Sequence, residues 1–168
     1  MRSIVALAVL LLTAAALSPA AAQDEKKTTT TLDSIAKLLD QADLDYERED
    51  ERIKMLYEFT DGRSQLVFLT PMSDLREVGL VEIYSPVMRL ESGTVPAALG
   101  KRLLEATGSQ KIAYFGIEDV EDKPWVFGYH NLPTNGLNPK ALAAVLITVA
   151  EIADEMEKEQ LGSAKDEF

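Results

Sequence analysis

The sequence predicts an α+β domain, a two-layer sandwich with helices on one face of a mainly antiparallel sheet of five strands. Apolar residues recur every three or four positions in three segments, as in amphipathic helices. In five other segments they alternate or run together, as they do in strands. Because several strands follow one another directly, they should pair as antiparallel neighbours beneath the helices. The predicted order is helix, three strands, helix, two strands, helix.

The first 22 residues have the pattern of a secretory signal peptide. Arg2 precedes an apolar run that Ser18-Pro19 interrupts, and alanines at 20–22 offer a cleavage site before polar residues. The run is shorter than the ~20 residues that span a bilayer core. We therefore expect cleavage before Gln23, export to a bacterial periplasm or beyond the cell, and no stable membrane insertion afterwards. A retained membrane anchor is the alternative.

The N-terminal part of the mature chain combines a linker, a helix and a hairpin. Residues 23–31 are polar and threonine-rich, and we expect them to form the linker. From Leu32 the apolar residues fall on one stripe, which predicts a helix that Thr31 or Asp33 caps and that ends near Asp43. The pair Asp61-Gly62 lies between two strand-like runs and predicts a β-hairpin.

The middle of the chain should contain a loop, a third strand and a second helix. Residues 71–77 read as the loop, and Pro86 should end the strand that follows because proline cannot donate to a β-ladder. Pro96 marks the start of the second helix and Gly108 its end.

The C-terminal part should contain two strands and the longest amphipathic helix. Residues 112–117 and 125–130 read as strands joined by an acidic turn over 118–124. Asn138-Pro139 is a favourable helix start, with asparagine as cap and proline at the first helical position. The domain should span residues 32–157, and a polar tail should follow at 158–168.

Composition excludes some classes of partner. The chain has no cysteine, so no disulfide can form, which suits a periplasmic protein. The formal net charge is −11, and it becomes −12 once Arg2 is removed. A surface of this charge repels nucleic acid and anionic lipid, so we expect neither as a partner.

A set of short segments spread over residues 32–156 resembles a known family. They are the leucine-rich first helix, Asp45-Tyr46, the hairpin through Asp61-Gly62, Val81-Glu82-Ile83-Tyr84-Ser85-Pro86, Leu103-Leu104, Tyr114-Phe115-Gly116-Ile117 and Leu132-Pro133. In this order the segments resemble the YbjN family, described as proposed bacterial sensory-transduction regulators, within the type III secretion chaperone-like fold. The resemblance implies that fold and a regulatory or protein-binding role.

No catalytic residue, metal site or cofactor is predicted. His130 is the only histidine, and with no cysteine present a nucleophilic triad or zinc site has too few groups. A structural or surface role for His130 is therefore favoured. The acidic residues within 43–51 and 118–122 lack the glycine and the spacing of an EF-hand loop, and we interpret them as solvated.

Three aromatic residues are the candidate partner-binding residues. Trp125, Phe127 and Tyr129 alternate along the last predicted strand and therefore share one face of it. The preferred interpretation places them in the core under the helices. The alternative places them on the open face of the sheet, as an apolar patch for a partner or a second subunit.

These observations favour an exported, non-enzymatic module that binds an unidentified protein or acts as a regulator. A periplasmic module for small molecules, sugars or metals is the alternative, and a carboxylate-based hydrolase ranks last. A homodimer is also expected, because the strands carry apolar residues on both faces and one layer of helices buries only one of them.

Overall fold

The structure is a computed structural model that describes residues 30–75, 78–91, 93–162 and 168. The predicted signal peptide and most of the predicted linker lie outside these residues. Helices and strands follow in this order: α1 (Leu32–Gln41), β1 (Glu47–Arg48), β2 (Ile53–Glu58), β3 (Ser64–Leu75), β4 (Val78–Arg89), α2 (Ala97–Ser109), β5 (Tyr114–Val120), β6 (Lys123–Pro133) and α3 (Pro139–Leu161).

The strands form one antiparallel sheet in the order β1-β2-β3-β4-β6-β5. Helix α2 carries the chain from β4 to the far edge of the sheet, where β5 pairs with β6 and β6 returns to β4. The predicted α+β class and the mainly antiparallel sheet are confirmed. A sixth strand, the two-residue β1, lies in the charged segment that follows α1.

The predicted caps and the first hairpin are confirmed. The Thr31 hydroxyl accepts a hydrogen bond from the Ser34 amide and forms a capping box at the start of α1. The Asn138 side chain caps α3 in the same way, with Pro139 at the first helical position. Between β2 and β3, Gly62 adopts φ +85°, a conformation that favours glycine.

Two segments predicted as loops belong largely to strands. Strand β3 continues to Leu75 and β4 begins at Val78, so the connection is much shorter than the predicted loop over 71–77. Likewise, β5 extends to Val120 and β6 begins at Lys123, with positive φ at the two turn residues between them. A two-residue turn of this kind matches the twist of a hairpin, which is why the acidic residues around it can stay in strands.

The other differences concern where elements end. Pro86 lies inside β4, which continues to Arg89 with a register shift between Pro86 and Met88. This bulge lets the ladder pass a residue that has no amide hydrogen. Gly108 lies inside α2, and α3 continues to Leu161, beyond the end expected at Glu157.

The core lies between the helices and one face of the sheet. Its main cluster joins Ile35 and Leu39 of α1 to Leu142, Leu146 and Val149 of α3 over the central strands. A second cluster lies under α2 and shares the C-terminal half of α3. The opposite face of the sheet carries none of the three described helices.

A buried ionic cluster ties the first hairpin to α3. The Arg63 guanidinium donates to Asp154 through Nε at 2.6 Å and to Glu157 through its terminal nitrogen at 3.0 Å. All three side chains are at least nine-tenths buried. Lys158 bridges the carboxylates of Asp154 and Asp61 at 2.7 and 3.0 Å. The cluster therefore joins residues more than 90 positions apart in the chain.

Candidate functional site

The three candidate aromatic residues lie on the sheet face opposite the helices. A Cβ atom placed on Gly128 would lie 3.8 Å from the side chains of Ile152 and Ala153 on α3, so Gly128 faces the helices. Because side chains alternate along a strand, Trp125, Phe127 and Tyr129 point to the other face. The preferred interpretation, that they lie in the core under the helices, was wrong.

These residues belong to a larger group, which we call the aromatic face. Its members are Phe68, Tyr84, Tyr114, Trp125, Phe127, Tyr129 and Phe168. Neighbouring ring centroids are 5.2 to 6.1 Å apart, within the range of favourable aromatic pairs. Phe127 and Tyr129 are buried by the other rings although no described helix covers them.

Strand register brings the aromatic face together. Phe68 pairs with Tyr84, Tyr84 with Tyr129, and Tyr129 with Tyr114, so one row of aromatic residues crosses β3, β4, β6 and β5. Gly116 makes room for this row, because a Cβ atom there would lie 2.8 Å from the Tyr129 ring. A glycine in a strand often marks such a close approach.

Six of the seven residues of the aromatic face, all except Tyr114, form the floor of a groove of about 860 Å³. Five carboxylates line it: Glu49, Asp50, Glu51, Glu82 and Glu118. Arg52 is the one cation among the described residues that line the groove. Its guanidinium lies 4.3 Å from the centroid of the Phe68 ring and pairs with Glu49. The groove therefore combines an aromatic floor with acidic walls.

The polar groups at the β5 side of the groove have unusual environments. Burial raises the pKa of Glu82, and the nearby Glu118 carboxylate raises it further. Burial also raises the pKa of Tyr129, with a further contribution from Glu118. The Tyr129 hydroxyl lies beside the Glu118 carboxylate, but it makes no well-formed hydrogen bond to any residue in the described part of the chain. Neither Glu82 nor Glu118 forms an ion pair within the described ranges.

The other sequence-level candidates take different places. His130 is half-buried on the helix-facing side of β6, and its Nδ1 contacts the carbonyl oxygen of Ile112. Its environment is therefore that of a structural residue. In the part of the chain that the structure describes, no group of three or more histidine, cysteine or acidic residues is arranged to hold a metal ion.

The acidic segments, interpreted from the sequence as solvated, contribute to the groove. Asp50 and Glu51 lie at one wall and Glu118 at another, whereas Glu121 and Asp122 form the turn between β5 and β6. This role was not predicted from the sequence. The sequence does show an aromatic residue in each of several strands, but only the strand register shows that these residues share a face.

Among the solved structures is a protein with a similar fold. The structure is similar to that of YbjN. The crystal structure of YbjN from E. coli, described as a proposed transcription regulator, superposes with a TM-score of 0.58 and 10% sequence identity. The match covers 80% of this chain and 94% of YbjN. The fold implied by the sequence resemblance is thereby confirmed.

Comparison by sequence adds nothing to this likeness: no protein-family model and no curated protein matches the chain. Within the described ranges, none of the helices combines the length and the hydropathy of a bilayer-spanning segment.

Proposed function

We propose that the protein is an exported, non-enzymatic binding module whose aromatic face is its recognition surface. The observation that carries the proposal is the placement of seven aromatic residues on the sheet face that no described helix covers. Clustered aromatic residues in a concave surface are typical of the centres of protein interfaces. The likeness to YbjN agrees with a regulatory or binding role, although the fold alone does not determine function.

The composition of the groove also supports binding rather than catalysis. Its lining residues, within the described chain, include no histidine, cysteine, serine or lysine. Without a histidine or a lysine, these residues cannot form the pairs in which such a side chain activates a neighbouring hydroxyl or thiol. The aromatic rings, by contrast, offer a large contact area with little conformational entropy to lose. We therefore place the function of this groove in recognition.

Site-specific photo-crosslinking in cells that produce the protein tests this proposal. A photoreactive amino acid replaces Leu56, which is 57% exposed on the same sheet face, at the edge of the aromatic face. The matched control replaces Leu104, which is 75% exposed on α2. We expect a specific adduct from position 56 and none from position 104. Adducts only from position 104 would contradict the proposal, and an adduct of two copies would identify a homodimer.

A further inference from the structure

We propose that the groove binds an extended, basic segment of a partner protein, in which lysine or arginine residues flank apolar side chains. This inference rests on the proposed function and specifies the chemistry of the partner. It follows from the charges in the groove, from one buried hydroxyl without a partner, and from the contact that Phe168 already makes there.

Most of the negative charges in the groove have no positively charged partner among the described residues. Of the five carboxylates, Glu49 pairs with Arg52, and no other ion pair to a groove carboxylate occurs among the described residues. Glu82 is partly buried and lies close enough to Glu118 for the two charges to interact. A cation bound between them would relieve both the repulsion and the cost of burying a carboxylate alone.

Tyr129 supplies an independent observation at the same place. Its side chain is only 4% exposed, lines the groove, and leaves its hydroxyl without a hydrogen bond to a described residue. Buried hydroxyls are nearly always hydrogen-bonded, so this one indicates a missing partner. A lysine ammonium has three donors, enough for this hydroxyl and the two neighbouring carboxylates. The ring of Tyr84, which also lines the groove, offers a cation–π contact beside it.

The groove already holds one aromatic side chain, that of Phe168, at the end where Trp125 lies. The Phe168 ring packs on Trp125 with a centroid distance of 5.7 Å. The Ser64 hydroxyl, outside the residues that line the groove, donates a hydrogen bond to the backbone oxygen of Phe168 at 3.0 Å and helps to hold this residue there. The volume of the groove exceeds what a single amine fills and falls in the range of pockets for larger ligands.

Charge favours a basic partner over a second copy. Two copies meeting through the aromatic face would bring the acidic walls of both grooves together. The chain also carries a net charge of −11 overall, which opposes self-association. A basic segment meets both the acidic walls and the aromatic floor, and the overall charge attracts it.

Binding of synthetic hexapeptides tests the proposal directly. The probe is the capped peptide KFKFKF, which spans about 20 Å when extended. The comparison peptides are EFEFEF, with reversed charge, and KSKSKS, without aromatic side chains. Trp125 is the only tryptophan, so its fluorescence reports on the groove, and calorimetry gives the affinity. We expect KFKFKF to bind at least about tenfold more tightly than either comparison peptide.

A pair of charge-matched variants locates the effect. Glu82→Gln combined with Glu118→Gln should weaken KFKFKF binding about tenfold. Glu151→Gln combined with Glu155→Gln removes the same charge from exposed positions on α3 and should change affinity less than about twofold. The melting temperature of each variant checks that the fold is intact.

Three results would overturn the proposal. They are equal binding of EFEFEF and KFKFKF, equal effects of the two double variants, and a stable dimer through the aromatic face that excludes the peptide. The proposed function can survive this rejection. If a partner crosslinks at position 56 but the two peptides bind equally, or the two double variants have equal effects, only the basic partner is rejected. If no crosslink forms at position 56, both the proposed function and the basic partner are rejected.

Discussion

At the residue scale, Glu82 is the groove residue whose environment most opposes its charge. Its pKa is raised by burial and by Glu118, so the folded state holds the proton more tightly than the unfolded state does. Stability from this group is therefore lost as pH rises from the ordinary carboxyl range through the raised pKa. A carboxylate that costs stability in the free protein is suited to a role in binding.

We predict that Glu82→Gln raises the melting temperature at neutral pH. The amide removes the cost of ionising a partly buried carboxylate. The gain should shrink near pH 4, where the wild-type side chain is mostly protonated in both states. Calorimetric melting at both pH values measures this. Glu151→Gln, at an exposed position, should show little gain at either pH, and a lower melting temperature for Glu82→Gln at neutral pH would refute the assignment.

Arg63 is the residue on which the buried ionic cluster depends. We predict that Arg63→Met lowers the free energy of unfolding by about 3–5 kcal/mol, because Glu157 then loses its guanidinium partner while remaining buried. Urea denaturation measures the change. As a control, Arg48→Met breaks an exposed pair with Asp33 and should cost less than about 1 kcal/mol. Equal costs would show that the cluster contributes no more than a surface ion pair.

At the scale of elements, strand β4 continues beyond Pro86 because buried side chains supply hydrogen bonds there. Gln65 on β3 is fully buried, and its amide donates to the Ser85 hydroxyl at 2.9 Å and to the Pro86 carbonyl. The Ser85 hydroxyl donates in turn to the Leu66 carbonyl at 2.6 Å. These side chains supply hydrogen bonds beside the bulge, where the ladder is locally disrupted. The strand can therefore continue instead of ending at Pro86.

Helix α3 is the element that organises the core, and Val149 lies at its centre with no exposed area. We predict that Val149→Asp costs several kcal/mol, enough to unfold a domain of marginal stability, because the carboxylate would be buried without a partner. Thermal melting followed by circular dichroism measures this. Glu151→Ala changes an exposed position on the same helix and should have little effect. Similar melting of wild type and Val149→Asp would contradict the assigned helix face.

At the scale of the whole molecule, export remains a proposal, and the start of the mature chain tests it. The predicted signal peptide lies outside the described residues. We predict that the exported protein begins at Gln23, because the alanines at 20–22 fit a signal-peptidase site. Intact-mass measurement of protein recovered outside the cytoplasm decides this. A mass that includes residues 1–22 would instead indicate a retained anchor.

The oligomeric state is the second whole-molecule prediction. The sequence led us to expect a two-fold dimer through an open apolar face, and the structure has such a face. Its acidic walls would, however, meet their own copies across a two-fold contact. We therefore expect a mass near one chain at micromolar concentration and physiological salt, measured by light scattering after size exclusion. A mass of two chains would restore the homodimer and weaken the case for a basic partner.

Local patterns in the sequence were enough to predict most of the fold. The caps Thr31 and Asn138, the Asp61-Gly62 turn and the spacing of apolar residues on α3 act over a few residues, so they can be read from adjacent positions. The fold class and the resemblance to YbjN follow from the order of these elements. The short strand β1 and the strand ends near prolines and acidic residues were missed, because pairing with neighbouring strands overrides local preference there.

The candidate site depended on tertiary structure. The sequence showed that Trp125, Phe127 and Tyr129 share one side of a strand, but not which side the helices cover. The packing of α3 makes that choice: the helix lies on the face of β6 to which Gly128 belongs, 3.8 Å from where its Cβ atom would be. The row from Phe68 to Tyr114, and the contact of Arg63 with Asp154, join positions far apart in the chain. Only strand register and helix packing bring such residues together, because sequence periodicity describes neighbours along the chain and not neighbours across it.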